Sequence, residues 1–494
     1  MLVIVTIAVY FVALFALSRW TTRKQATNET FYRADRRSPW RMVAFGMVGA
    51  SISGVTFVSV PGMVLTSGMT YLQLCLGFII GYVVVAFVLL PVYYKLNLVS
   101  IYAYLGQRLG RRSYLAGASF FMLSKMIGTA VKFYVACLIV QQFVMDRVGV
   151  PFAVTTIVMV LLIWLYTHRG GVRTLVFTDS LQTLCLFTSL LIIIYIVMSQ
   201  LQLSLPDALS AIAADDRSRV FVFDDFVSRQ NFWKQLLSGA FIVVVMTGLD
   251  QDMMQKNLTC RTLREAQKNM CSYGVAFVPA NLLFLALGVL LAQLFEAQGV
   301  ALPAHGDEML PMFVAAGMEG ASPLMPHLSP VIAYVLPVVF TLGIIAASFS
   351  SADSALTALT TSYCVDIRQR PDDIKMRRRS HLLLCLLFVA CVLLIRAVNS
   401  SSLIDAIYTI VSYTYGPLLG LFAFGLFTKR RVYDCFVPAV CIAAPSLCYV
   451  ADVVCRSVFN YSFGYELLML NGLLTFAGLC VLSRSASDSG EHNI

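Results

Sequence analysis

Charged residues are scarce in this sequence of 494 residues. Asp, Glu, Lys and Arg together make up 13% of the chain, and the mean hydropathy is +0.79. Soluble globular proteins carry about 25% charged residues, so the composition excludes that class. Apolar stretches recur along nearly the whole chain, each long enough for the roughly 20 residues that cross a bilayer as a helix. Because these runs are continuous rather than alternating, they predict an all-α integral membrane protein and not a barrel.

The sequence also lacks the clusters that metal sites and membrane enzymes need. Its 13 cysteines include no CxxC pair and lie mostly inside apolar runs, as small buried side chains do. The five histidines fall in predicted loops or at span ends: His168, His305, His327, His381 and His492. Without a convergent set of acid, base or metal ligands, we predict that the protein is not an enzyme and holds no organic cofactor.

Long polar segments are absent too. No predicted loop exceeds about 35 residues, which is too short for a separate catalytic domain. The tail at 485–494 is too short for an appended signalling domain, which disfavours a solute sensor built on a transporter fold. The basic run RQRPDDIKMRRRS at 368–380 is interpreted as a loop flanking the membrane rather than a nucleic-acid site.

Thirteen membrane spans are predicted from the apolar runs. The first run lacks a basic segment before it and is followed by many more, so it is interpreted as a span rather than a signal peptide. The predicted spans are 2–18, 42–66, 72–94, 115–146, 151–167, 176–200, 235–254, 271–296, 328–366, 382–398, 402–428, 433–454 and 465–483.

The loops between these spans differ strongly in basic residues. One alternating set of loops holds 27 Lys and Arg, and the other set holds 7. Because basic loops stay in the cytoplasm, this asymmetry predicts an external N-terminus and a cytoplasmic C-terminus. We predict a bacterial inner membrane as the location.

Small hydroxyl residues interrupt the second span, in GASISGVTFVSVPG at 49–62. Ser51, Ser53 and Thr56 lie around Gly54, and such residues favour a broken helix whose freed carbonyls can coordinate a cation. Close helix packing is the alternative, since small residues let helices approach one another. From this stretch alone, packing is the simpler explanation.

Three ionisable residues fall inside the fourth and sixth spans. Lys125 lies near the predicted cytoplasmic end, so its ammonium can reach the interface by snorkelling. Lys132 is about 17 residues into its span and is expected to mark a cavity or an acidic partner. Asp179 lies about one turn inside the sixth span, where a helix-capping role is the alternative to a functional one.

The ninth span carries the stretch AASFSSADSALTALTTSYCVDI at 346–367. Ser350, Ser351 and Ser354 recur at spacings that place them on one helix face, and Asp353 and Thr357 extend this polar stripe. Such oxygen donors suit a sodium ion, with packing between helices again the alternative.

Four blocks, in order, resemble the sodium:solute symporter family. They are FYRADRRSPWRMVAFGMVGASISGVTFVSVPG at 31–62, GGVRTLVFTDSLQ at 170–182, TGLDQDMMQKNLTCRTLREAQ at 247–267 and SSADSALTALTTSYCVDI at 350–367. The resemblance implies a leucine-transporter-type core of two inverted five-helix repeats, at 42–200 and 235–428. It also implies one extra helix at 1–20 and two more at 433–484, with the short tail at 485–494.

The same resemblance implies sodium-coupled solute import by alternating access. The implied sodium ligands are the carbonyls of Gly49, Ile52 and Ala347 and the hydroxyls of Ser350 and Ser351. Asp179, Asp353 and Ser354 are candidates for a second cation site or a proton carrier. As the alternative, Asp353 pairs with a lysine such as Lys132.

A polar pocket with one positive charge is predicted from five residues: Ser51, Ser53, Thr56, Gln73 and Lys132. Such a pocket favours an organic anion, for example a sialic acid or another carboxylate. A neutral amino acid such as proline, or a sugar, is the alternative solute. The expected partners are Na⁺, the solute and the lipid bilayer, with no nucleic acid, and the oligomeric state stays open.

Overall fold

The protein is described from a computed structural model that covers residues 2–22, 27–226, 228–319, 322–398, 403–459, 461 and 463–484. Nearly all of these residues are helical, as the sequence predicts. The principal helices in chain order are α1 (Leu2–Thr21), α2 (Trp40–Ser51), α3 (Gly54–Gly62), α4 (Tyr71–Val84), α5 (Arg111–Val140), α6 (Phe152–Gly170), α7 (Val172–Gln200), α8 (Phe232–Val243), α9 (Gln251–Asn257), α10 (Leu263–Ala297), α11 (Pro330–Ser362), α12 (Ile374–Val398), α13 (Leu403–Phe427), α14 (Val437–Phe459) and α15 (Leu467–Val481). The predicted tail at 485–494, with His492, lies outside the described residues.

Shorter elements connect or extend these helices. Short α-helices lie at Asn28–Arg33, Val64–Ser67, Leu90–Lys95, Ala103–Arg108, Leu205–Ala214 and Met309–Glu319. Single 3₁₀ turns lie at Ala34–Arg36, Gly68–Thr70, Asp146–Val148, Asp216–Ser218, Gly306–Glu308 and Asp434–Phe436, and π-helical turns lie at Val85–Leu89, Gln141–Met145, Val244–Gly248 and Tyr363–Ile367. Two short antiparallel strands, β1 (Arg431–Val432) and β2 (Ser483–Arg484), pair Arg431 with Arg484 and so tie the end of α13 to the end of α15.

Length and apolar composition identify nine membrane spans among the described residues, or ten if one bent helix pair counts as a single span. The integral membrane class is therefore confirmed, and the number thirteen stays a prediction. One of the nine, Gly54–Lys95, is 42 residues long, and at 1.5 Å per residue it would reach about 63 Å, twice the hydrocarbon thickness. It contains a turn at Gly68, whose φ of +58° suits glycine, so it is not one straight crossing.

The seventh predicted span, 235–254, is not continuous. α8 leads into the π-helical turn at Val244–Gly248, and the chain then bends by 71° before α9 begins. Asp250 caps α9, because its Oδ1 accepts a hydrogen bond from the backbone N–H of Asp252 at 2.8 Å. The prediction of an unbroken span is wrong here, because hydropathy averaged over twenty residues does not detect an interruption of two residues.

Close helix packing is found where α2 and α3 meet α7 and α11. A Cβ on Gly46 would lie 2.9 Å from Cβ of Asp179, and one on Gly49 would overlap the hydroxyl of Thr183. A Cβ on Gly54, at the start of α3, would overlap the hydroxyl of Ser348 on α11. These glycines make room for side chains of α7 and α11 against the backbone of α2 and α3, as small residues do in membrane interfaces. The packing alternative for the small residues of 49–62 therefore holds alongside the broken helix described next.

Candidate functional site

The second predicted span is broken between α2 and α3. Ile52 leaves the helical region with ψ of 106°, and Ser53 then caps α3. The Ser53 hydroxyl accepts from the N–H of Thr56 at 3.4 Å, and the Thr56 hydroxyl accepts from the N–H of Ser53 at 3.3 Å. This reciprocal capping box satisfies two N–H groups of α3 but leaves carbonyls at the end of α2 free of helical partners. The predicted interruption is confirmed.

Two serines of α11 face this break. The Ser351 hydroxyl donates to the carbonyl of Ala50 at 3.1 Å, and the Ser350 hydroxyl donates to Oδ1 of Asp179 at 3.0 Å. Gly49 lies in the last turn of α2, Ile52 directly follows that helix, and Ala347 lies one turn before Ser351 on α11. The structure thus gathers the five implied sodium-ligand positions around one junction of α2, α7 and α11. Their role as ligands stays a prediction.

Asp179 forms a buried ion pair that the sequence does not predict. Its Oδ2 lies 2.8 Å from Nζ of Lys256, and both side chains are at most 3% exposed. The sequence predicts Lys256 in a basic loop at 256–268, and this prediction is wrong. Lys256 lies in the last turn of the capped helix α9, where it is buried inside the bundle. Asp179 is likewise not an interfacial cap, since it lies deep in α7. This ion pair therefore joins α7 to α9.

Asp353 lies close to this pair but has other partners. Its Oδ2 accepts from the Tyr166 hydroxyl at 2.6 Å, and its Oδ1 accepts from the Ser354 hydroxyl at 3.2 Å. The carboxylate is fully buried. The alternative in which Asp353 pairs with Lys132 is wrong, because these hydroxyls on α6 and α11 surround it. Asp179, Asp353 and Ser354 do lie in one region, as the second-cation hypothesis requires.

A cavity of about 160 Å³ opens beside the first break. Four of the five residues predicted to bind solute line it: Ser51, Ser53, Thr56 and Lys132. Gln73 is not among the lining residues. Its amide donates to the carbonyl of Gln230 at 2.9 Å and accepts from the N–H of Val222 at 3.1 Å, so it fastens the segment before α8.

The cavity wall also contains a charged cluster on α5 and α9. Nζ of Lys125 lies 3.1 Å from Oδ2 of Asp250 and 2.8 Å from Oδ2 of Asp252. The Tyr415 hydroxyl donates to Asp250 at 2.7 Å. Lys125 is 14% exposed and paired, so the snorkelling interpretation is wrong. Its long side chain reaches inward because two carboxylates stabilise the ammonium there.

Lys132 lines the same cavity two helical turns further along α5. In the part of the chain that the structure describes, no carboxylate lies within ion-pair distance of its ammonium. The cavity thus contains two lysines and two aspartates, and its formal charge is balanced. The predicted pocket with a single positive charge is wrong in this respect, because Asp250 and Asp252 were not recognised.

The sequence did carry a signal for these missed residues. Asp250, Asp252 and Lys256 all belong to TGLDQDMMQK, where a glycine and two carboxylates end an apolar run. Ionisable residues at membrane depth are costly and mark functional positions by default. The sequence prediction misses Asp250 and Asp252 because it treats 235–254 as one apolar span, and it misses Lys256 because that residue falls in the loop after the span.

A second, wider cavity of about 690 Å³ lies on the predicted outer side. It is lined by the end of α3 and the starts of α8 and α15, together with the loop at 304–307. Met63 lines both cavities, so its side chain lies between them. The central cavity therefore faces this outer cavity across a flexible apolar side chain.

Comparison with known proteins gives consistent matches. A model of the sodium:solute symporter family matches residues 31–433. The chain is 23% identical over 489 residues to the sodium/sialic acid symporter of Aliivibrio fischeri, covering 94% of this chain and 91% of that relative. It is 25% identical over 415 residues to the human sodium/iodide cotransporter, covering 82% of this chain and 62% of that protein.

The fold also matches a solved structure. A Na⁺-coupled sialic acid symporter in a substrate-bound, outward-open state superposes with a TM-score of 0.80 at 19% identity, with 97% of each chain covered. At this identity the likeness concerns the fold. The matched relatives are transporters and not enzymes.

Proposed function

Because the chain belongs to the sodium:solute symporter family, we propose that it carries a small organic solute into the cell together with Na⁺. Transport proceeds by alternating access around the junction of the two broken helices. The chain lies in a bacterial inner membrane with its N-terminus outside and its C-terminus in the cytoplasm, consistent with the 27 to 7 distribution of basic residues between the two sets of loops.

Sodium binds at the first break in this proposal. Its ligands are the carbonyls of Gly49, Ile52 and Ala347 with the hydroxyls of Ser350 and Ser351. The observation that supports it most directly is the 3.1 Å hydrogen bond from Ser351 to the carbonyl of Ala50, which holds α11 against the freed carbonyls of α2. Hydroxyl and carbonyl oxygens are hard donors that suit a hard cation, and unwound backbone in a transporter core is typical of sodium sites.

A second cation would depend mainly on Asp353 and Ser354. Asp179 already faces the ammonium of Lys256 at 2.8 Å, so its charge is compensated from within the protein. We therefore propose that one Na⁺ is transported in each cycle. One charge moving through 100 mV releases about 2.3 kcal/mol, and a tenfold sodium gradient adds about 1.4 kcal/mol. Together they support accumulation of a neutral solute by roughly a few hundredfold.

The solute binds in the central cavity through an acidic group. Lys132 offers its ammonium to that group, and Ser51 and Thr56 offer hydroxyls nearby. The two relatives named above are described for anions, sialic acid and iodide, which supports an acidic solute. A sialic acid or another carboxylate fits this proposal, and a neutral amino acid such as proline or a sugar is the alternative.

Uptake into proteoliposomes tests the proposal. Labelled sialic acid, proline, a neutral hexose and a monocarboxylate are each supplied with and without an inward sodium gradient. Ser351→Ala should raise the sodium concentration for half-maximal uptake about tenfold, which corresponds to about 1.4 kcal/mol of lost binding energy. Ser446→Ala is the matched control, because Ser446 is exposed on α14 and bonds only to its own helix among the described contacts. Uptake indifferent to sodium, or equal behaviour of the two variants, would contradict the proposed site.

A further inference from the structure

The central cavity has a separated charge pattern. Lys125 is shared between Asp250 and Asp252, so this cluster has a formal charge of −1. Lys132 contributes the compensating positive charge. It lies seven residues further along α5, about 10 Å away along the helix axis. The cavity therefore has a negative end and a positive end rather than one uniform charge.

The space between the two ends is open. Gly128 lies between Lys125 and Lys132 on α5, and it lines the cavity. A Cβ added at this glycine would meet no atom within 4 Å, so the helix surface there is bare. Aromatic side chains also line this cavity, among them Tyr82 and Phe277. A flexible carbon chain could lie over Gly128 and reach both ends.

The two carboxylates of the negative end are not equally engaged. Asp250 contacts Lys125 and accepts hydrogen bonds from the Tyr415 hydroxyl and the N–H of Asp252. Asp252 contacts Lys125 through Oδ2, and no other hydrogen bond to its carboxylate is found within the described residues. The carboxylate of Asp252 can therefore accept further hydrogen bonds from the cavity. At membrane depth, a carboxylate needs such a partner.

We propose that the transported solute is zwitterionic, with its anionic group on Lys132 and a cationic group on Asp252. This inference rests on the proposed function, in which this cavity binds solute, and it narrows the substrate class. A simple anion would compensate Lys132 but leave the excess negative charge at the other end. A simple amine would leave Lys132 without a counter-charge. Only a solute with both charges compensates both ends of the cavity.

Matched probes can test this inference with the full-length protein. Three sets are used: glycine with acetate and methylamine, 4-aminobutyrate with butyrate and butylamine, and 5-aminovalerate with valerate and pentylamine. The measurement is the rise in melting temperature of the purified protein as each probe is titrated, in sodium and in potassium buffer. We expect at least one zwitterion to bind in sodium about tenfold more tightly than its acid and its amine.

Charge variants assign the two ends. Asp252→Asn should remove the preference for the zwitterion over the acid, and Asp252→Glu should restore it. Lys132→Gln should remove the preference over the amine. Asp224→Asn is the matched control, because Asp224 is exposed in a loop and pairs only with exposed Arg219 within the described chain.

The outcomes separate this inference from the proposed function. Acids that bind as tightly as zwitterions, a zwitterion preference that survives Asp252→Asn, or no response to any zwitterion would each overturn the zwitterion proposal. Sodium-dependent uptake of sialic acid or the monocarboxylate in the proteoliposome assay would then leave symport standing. Loss of every sodium effect in both assays would contradict symport itself.

Discussion

The two broken helices use different chemistry at their breaks. Between α2 and α3 the capping residue is Ser53, and the side chain across the gap is the hydroxyl of Ser351. Between α8 and α9 the capping residue is Asp250, and the side chain across the gap is the ammonium of Lys125. The first break is formally neutral, and the second carries a salt bridge.

This difference suits two different ligands. The first break offers carbonyl and hydroxyl oxygens, which suit the small cation of the proposed function. The second break carries a lysine and two carboxylates, which in the proposed function would select a solute by its charges. The two regions are also joined, because Lys256 at the end of α9 pairs with Asp179, which in turn accepts from Ser350. A movement of α9 would therefore be felt at the proposed sodium site through Lys256 and Asp179.

Removing the carboxylate that joins the two breaks should have the largest effect. In Asp179→Asn, Lys256 stays buried without its counter-charge, and losing one partner of a buried pair costs about 3–5 kcal/mol of unfolding free energy. Denaturant titration of the purified protein measures the change. The double variant Asp179→Asn with Lys256→Met should recover most of the stability, since no unpaired charge remains. Equal stability of the single and double variants would show that the pair does not couple the breaks.

The charge at the second break can be separated from its capping function. Asn caps helices about as well as Asp, so Asp250→Asn keeps the cap of α9 and removes only the charge. We expect a loss of about 1.5–3 kcal/mol of unfolding free energy, the range for hydrogen bonds to charged groups. Asp250→Ala should lose roughly 1 kcal/mol more, because the cap is then absent. If the Asn and Ala variants are equally stable, the cap contributes nothing.

The neutral break should respond least. Ser53→Ala removes the hydroxyl of the capping box and should cost about 1 kcal/mol of unfolding free energy. Ser446→Ala, on an exposed face, should stay within about 0.5 kcal/mol of the parent protein. A loss at Ser53 as large as that in Asp250→Asn would contradict the contrast between the two breaks.

Local sequence patterns gave the first break only as one of two interpretations, beside close helix packing. The hydroxyls of Ser53 and Thr56 are three residues apart, which is the spacing of a capping box, and the stripe from Ser350 to Ser354 identified the facing side of α11. Both signals lie within a few residues, so a single sequence contains them. The sodium-ligand roles themselves stay predictions.

The second break and its partners could not be derived in the same way. Lys125 and Asp250 are 125 residues apart, and Asp179 and Lys256 are 77 apart, so no local pattern connects them. Mean hydropathy over 235–254 hides the bend at Leu249 and Asp250, because the apolar run before it dominates the mean. Without a known partner, Lys125 is placed at the interface and Lys256 in a loop, which are ordinary places for a lysine.

Met63 gives the passage between the two cavities a sensitivity to oxidants. Its thioether lies between the central cavity and the cavity on the predicted outer side. Oxidation to the sulfoxide would turn this flexible apolar side chain into a polar and chiral one. The boundary between the two cavities would then carry a polar group until a reductase restores the thioether.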